Sequence, residues 1–196
     1  VAPGNAGTAE LAENISLDLN DFKAVGDFTI QQDIDLVVVG PEQPLVDGIH
    51  DYFQSQPTLS NVTVIGPTKE GAQIEGSKDF AKSFMKRHRI PTAKSASFRT
   101  DQLVDALTFL ENQKAPYVLK ADGLAAGKGV KICKSRKQVL ETSFEIFKGK
   151  FKSSNKVVLE EFLSGEEASY FVIVDRNNFK FFGSAQDHKR VFENDK

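Results

Sequence analysis

Three glycines and three lysines crowd the stretch VLKADGLAAGKGVKI, residues 118–132: Gly123, Gly127 and Gly129 loosen the backbone, while Lys120 and Lys128 bring charge to the loop and its root. That mixture suits a polyphosphate, whose oxygens are gripped by loop N–H groups and neutralised by ammonium groups. Two familiar phosphate loops do not fit. A Walker A loop needs four residues between its first glycine and a Gly-Lys pair, followed by Ser or Thr. Here three residues separate Gly123 from Gly127, and Gly129 follows Lys128. The dinucleotide fingerprint needs glycine where Ile132 stands, and both motifs run into a helix, whereas VKICK alternates as a strand. What remains is a mobile, cationic hairpin loop between antiparallel strands; taken alone, such a loop is also compatible with plain surface structure.

Its surroundings add chemistry. In EGSKDFAKSFMKRHRIP, Ser77 suits a helix N-cap and Asp79 the first turn. Lys78 stands in that same turn, where the helix dipole disfavours a cation, which predicts an anion nearby. In PYVLKAD, Val118 and Lys120 share a face, read as inward; an ammonium there must meet an anion or lose its hydration without return. In VVLEEFLSGEEAS, Glu160 and Glu161 end an apolar strand and Glu167 follows a turn. The peptide edges around Phe162 and Leu163 can pair with adenine, and Glu167 can accept from ribose hydroxyls. Acid pairs are usually only solvated surface, but lysines, glycine hairpin and acidic hinge in this order point to a nucleotide.

The elements that must position these groups fall into two kinds. IDLVVVGPEQPLVDGI and VTVIGPTKEGAQIEG each run from an apolar strand through Gly-Pro into an amphipathic stretch, predicting strand–helix–strand crossovers and a parallel sheet covered on both faces. Ligands of such sheets gather at the carboxyl ends of the strands, where Gly4, Asn5, Gly7, Gly40, Glu42 and Gly66 are expected. From about residue 94 the pattern becomes α+β with antiparallel strands: helices in DQLVDALTFLEN and KQVLETSFEIF, strands in APYVLKAD and GVKICKS, and three more strands downstream. The fold class is thus α/β, with a doubly wound parallel part followed by an α+β part. The cluster Lys86, Arg87, His88 and Arg89 reads as a solvated helix end, giving His88 no catalytic role.

Composition narrows the classes. Of 196 residues, 40% are hydrophobic and 27% charged, and the net charge of −2 provides no field for nucleic acid or an anionic membrane. No apolar run approaches the roughly 20 residues of a membrane span. A lone cysteine, Cys133, has no internal disulfide partner, consistent with a reducing, cytoplasmic setting. The sole methionine is Met85, and VAPGN reads like the tail of a strand, so the chain is expected to be part of a longer one.

APGNAGTA, VVGPEQPLVDGI, GSKDFAKSFMKRHRIPTA, KADGLAAGKGV, EEFLSGEEASYFV and SAQDHKR, in that order, resemble the glycinamide ribonucleotide synthetases, a family of the ATP-grasp superfamily. The resemblance covers nearly the whole chain. It implies a pre-ATP-grasp domain over residues 1–93, an ATP-grasp lid over 94–160, and the start of the catalytic subdomain over 161–196. It also implies ligation of glycine to 5-phosphoribosylamine with ATP and Mg²⁺, through glycyl phosphate, in purine biosynthesis. Lys78 and Lys120 match the phosphate-contacting lysines; Asp122, Gly123, Gly127, Lys128 and Gly129 match the loop over the γ-phosphate; Glu160, Glu161 and Leu163 match the adenine hinge and Glu167 the ribose acid. Asn5, Gly7, Thr8 and Glu42 fall where phosphoribosylamine binds. Asp187, His188 and Lys189 lie beside the acceptor site and, with Lys120, are the candidate catalytic residues. The family's opening strand has no counterpart in this sequence and its Mg²⁺ ligands are expected beyond Lys196, so no metal ligand is assigned here and the chain alone is expected not to turn over. A monomer is expected, with no nucleic-acid or membrane partner. A sister ATP-grasp ligase acting on another acid or amine, and a non-catalytic nucleotide-binding fragment, stay open as alternatives.

Overall fold

The computed structural model describes residues 1–125, 128–150, 155–175 and 177–187. Its contacts divide the chain into two compact units, Val1–Glu161 and Phe162–Lys196. The first unit contains a parallel pair, β1 (Leu36–Val38) and β2 (Thr63–Ile65), in register Val37 to Val64. The crossover between them carries α2 (Glu42–Asp47) and α3 (Ile49–Ser55), and α1 (Phe22–Gln31) precedes them. Ile49 and Phe53 of α3 bury against Phe22 and Val25 of α1 and against Val37, Val39, Val62 and Val64. Burial of such side chains stabilises by about 1.5–3 kcal/mol each. One expectation fails here: Leu36, Val38 and Ile65 are exposed, so the pair is covered on one face among the described residues. Continuous apolar strands predict two covered faces, but α1 and α3 supply a single layer.

After β2 come α4 (Lys69–Gly76), capped by Thr68, and α5 (Lys78–Arg87), capped by Ser77 Oγ on the Phe80 N–H. A four-stranded antiparallel sheet follows, in order β3-β6-β4-β5, from β3 (Ser95–Arg99), β4 (Tyr117–Ala121), β5 (Val130–Cys133) and β6 (Lys156–Glu161). Helices α6 (Leu103–Glu111) and α7 (Arg136–Glu145) cover one face. There Phe98, Tyr117, Leu119, Val157 and Leu159 meet Leu110, Val139 and Ile146 in one apolar cluster. Along β4 the alternation is strict: Tyr117, Leu119 and Ala121 are buried, Val118 and Lys120 half-buried. Lys120 therefore does not point into the core, as the sequence suggested. Every other position of β4 is apolar or nearly so, and only the helices decide which face they cover.

The second unit is a hairpin of β7 (Ala168–Asp175) and β8 (Asn178–Gln186), with a bulge between Phe171 and Val172. Tyr170 and Phe181 stack across it at 4.6 Å between ring centroids. Among the described residues no helix is long and apolar enough to cross a membrane.

Candidate functional site

The face of the four-stranded sheet opposite α6 and α7 carries the chemistry. Strand alternation places Ser95, Ser97, Val118, Lys120, Val158 and Glu160 together there, with Val118 opposite Glu160 and Lys120 opposite Val158. Glu160 is 6% exposed, and its Oε2 receives Lys120 Nζ at 2.9 Å and Lys82 Nζ, from α5, at 3.4 Å. The anion that Lys120 requires is therefore built into the neighbouring strand. Glu160 Oε1 is buried without a hydrogen-bond partner among the described residues, an acceptor left open.

The glycine hairpin springs from the end of β4. Asp122 accepts from Ser77 Oγ at 3.2 Å and from the Asp79 N–H at 3.2 Å, so the N-terminus of α5 clasps the root of the loop. Its own N–H donates to the Lys156 carbonyl at 3.1 Å. Lys78 Nζ donates to the Gly123 carbonyl at 2.8 Å. The anion expected near Lys78 is Asp122. Burial nonetheless pulls the Lys78 ammonium below its usual pKa range; Asp122 opposes that shift and the Lys120 charge adds to it. Gly123 has φ +87°, a conformation that favours glycine. At the far side the Ala121 N–H meets the Gly129 carbonyl at 2.7 Å, and a Cβ on Gly129 would lie 2.6 Å from Ala125 Cβ. Lys128 is exposed, and Gly127 lies outside the described residues.

A cleft of about 440 Å³ opens beside this root, lined by Glu42, Gln43, Glu75, Lys78, Leu124, Ala125, Gly129 and Val130. Glu42, expected at the carboxyl end of β1, thus shares a cavity with Lys78. A larger groove of about 700 Å³ runs along β3 and the C-terminal part of α5, and none of the candidate site residues predicted from sequence lines it. Asn5 and Thr8 form a separate knot: each caps the other's N–H, at 3.0 Å and 2.7 Å, and the Thr8 hydroxyl donates to Asn14 at 2.8 Å. Gly7 caps the 3-10 turn that follows.

Glu161 ends β6 with its N–H on the Lys94 carbonyl at 2.9 Å and its carboxylate on the Lys94 N–H at 2.8 Å. In the second unit Leu163 is exposed, and the Glu167 carbonyl receives the Asp187 N–H at 3.0 Å, closing the open end of the hairpin. His188 and Lys189 lie outside the described residues.

Sequence reasoning missed three contributors. Lys82 stands one helical turn beyond Lys78, at i+4, a signal that was legible. Asp79 pairs with Lys156 and tethers α5 to β6, across 77 residues that no local pattern joins. Burial raises the Asp79 carboxyl pKa, but Lys156, Ser97 and Arg99 more than reverse that and hold it below the usual range.

A hairpin loop over an antiparallel sheet, with lysines at its root and a buried acid at the sheet end, is an arrangement that agrees with an ATP-grasp domain. Residues 1–75 match the N domain of phosphoribosylglycinamide synthetase and residues 76–196 its ATP-grasp (A) domain. The chain belongs to the phosphoribosylglycinamide synthetase family. Phosphoribosylamine–glycine ligase of Haemophilus influenzae is 44% identical over 199 residues, covering 100% of this chain and 45% of that protein. The crystal structure of phosphoribosylamine–glycine ligase from Thermotoga maritima superposes with a TM-score of 0.74 at 32% identity, over 99% of this chain and 45% of that one. The biotin carboxylase domain of Hydrogenobacter thermophilus 2-oxoglutarate carboxylase, crystallised with MgADP and bicarbonate, shares the fold with a TM-score of 0.70 at 19% identity, over 90% of this chain and 40% of that one. The chain spans less than half the length of these relatives.

Proposed function

We propose that this chain grips ATP for an enzyme that joins glycine to 5-phosphoribosylamine, giving glycinamide ribonucleotide, ADP and phosphate. The observation that carries this reading is a pair of lysines near enough to feel each other's charge, Lys78 on the Gly123 carbonyl at the hairpin root and Lys120 on a buried Glu160 with one acceptor oxygen open. The lysines suit phosphate oxygens, and the open Glu160 oxygen suits the exocyclic amine of adenine. Lys128 and the N–H groups of Gly123 and Gly129 would cover the γ-phosphate, with Asp122 holding the loop at its root. The family resemblance assigns Glu161 and Leu163 to the base and Glu167 to the ribose. The acids Glu42 and Glu75 in the cleft suit an amine substrate, with Asn5, Gly7 and Thr8 serving the same substrate from the N-terminal turn.

The chemistry explains the choice of residues. A carboxylate repels an attacking amine, so glycine must first become an acyl phosphate with a good leaving group. Phosphoryl transfer asks for positioning and charge neutralisation rather than for a protein nucleophile, and lysines with loop amides supply both. A loop that closes over the site shields the acyl phosphate from water. Magnesium adds charge neutralisation at the phosphates; among the described residues no three His, Cys, Asp or Glu side chains gather to hold it. Asp187, with His188 and Lys189, is assigned to the acceptor side.

Calorimetric titration of ATP into the chain and into Lys120→Ala tests the reading. The variant should keep its circular dichroism spectrum and lose about tenfold to a hundredfold in affinity, the worth of one or two charge-assisted hydrogen bonds. Unchanged affinity in a folded variant overturns it.

A further inference from the structure

Lys82 has no role in the reading above, yet its ammonium is anchored on three sides. Its ammonium donates to Thr92 Oγ1 at 2.8 Å and the Ala93 carbonyl at 3.3 Å, and pairs with Glu160 Oε2 at 3.4 Å. Three acceptors match its three protons. Its side chain is 15% exposed, against 27% for Lys120, which meets the same carboxylate oxygen at 2.9 Å. One carboxylate therefore serves two ammonium groups, one fixed by the α5–β3 connector and one free to turn on a long stem.

We propose that Lys82 is a positioning residue for phosphate capture: it keeps Glu160 compensated so that Lys120 can leave that carboxylate for a phosphate group. The proposal rests on the assignment of Lys120 to the nucleotide phosphates. With Lys120 as its sole partner, Glu160 would form a neutral, buried pair. Drawing Lys120 toward a ligand would then strand an unpaired carboxylate away from water, a heavy penalty. With Lys82 in place the cluster carries a net positive charge, and Glu160 keeps a partner whichever way Lys120 points. Thr92 and Ala93 prevent Lys82 from following the ligand itself.

The test compares Lys82→Met, Lys82→Arg and Thr92→Val with the parent chain. Its readouts are affinity for ATP and for adenosine, and the ε-methylene NMR signal of Lys120 without ligand. Lys82→Met should shift the Lys120 signal and weaken ATP binding by about tenfold while adenosine, which lacks phosphates, is unaffected. Lys82→Arg should restore both, and Thr92→Val, which removes one of the three acceptors that fix Lys82, should weaken ATP binding in the same sense as Lys82→Met but by less. A folded Lys82→Met chain with an unmoved Lys120 signal overturns the proposal. So does equal loss for ATP and adenosine, the mark of a merely structural role. Should the parent chain bind neither ligand, the nucleotide reading fails, while the Lys120 signal still decides whether Lys82 governs that ion pair.

Discussion

The two faces of the β3-β6-β4-β5 sheet come from the same strands and do opposite work. Toward α6 and α7, Tyr117, Leu119, Ala121, Val157 and Leu159 are buried among apolar neighbours. Toward α5, one residue along, Lys120, Lys156 and Glu160 engage in ion pairs with Lys82 and Asp79. A period of two gives each strand a stabilising side and a reactive side, so rigidity is lent to the charges without mixing with them. Polar groups held this way cost stability, and the apolar face offsets it.

Breaking the apolar face should have the largest effect. Leu119→Ala removes a fully buried side chain and should cost about 2–5 kcal/mol, read as a fall in the urea midpoint of the first unit. A loss below 1 kcal/mol would mean the two faces are less distinct than drawn.

On the charged face the Asp79–Lys156 pair is partly exposed, so Asp79→Asn should cost roughly 1 kcal/mol or less near neutral pH. Its pH dependence has a definite sign. The folded Asp79 pKa lies below the ordinary 3.8, so the pair's contribution is complete above that value and fades as pH falls through the folded one. The gap between parent and variant in urea melts should close in acid; a gap that widens would refute the pairing.

The smallest signal sharpens the contrast at the rim of that face. Burial lowers the Lys78 pKa from 10.5, and a phosphate placed beside it favours the ammonium form. ATP binding should then take up a fraction of a proton on the alkaline side, and affinity should decline as pH rises through that window. Titrations in buffers of different ionisation heat measure the uptake, and none at any alkaline pH would speak against Lys78 as a phosphate contact.

Local pattern revealed what local forces set. The Gly-Pro strands β1 and β2, the Ser77 cap, the β4–β5 hairpin and the break from parallel to antiparallel architecture could all be read from spacing and residue type. β3 could not, because Ser95, Ala96 and Ser97 carry no strand signature and are held by pairing with β6 some sixty residues away. Likewise the sequence placed Lys120 on the correct side relative to Val118 but the wrong side relative to the core. It named Glu160 without disclosing that its carboxylate faces two lysines. Those facts live in strand register, which no window of neighbouring residues contains. The family resemblance supplied the order of motifs; the ion-pair partners came only with the fold.

The clasp between Asp122 and α5 carries one more consequence. The positive end of a helix is a standing invitation to any passing anion, but here the seat is already taken by a carboxylate from the chain itself. Stray inorganic phosphate or sulfate therefore gains little by docking at Ser77. A substitution that emptied the seat, such as Asp122→Ala, would trade that discrimination for promiscuity toward small anions.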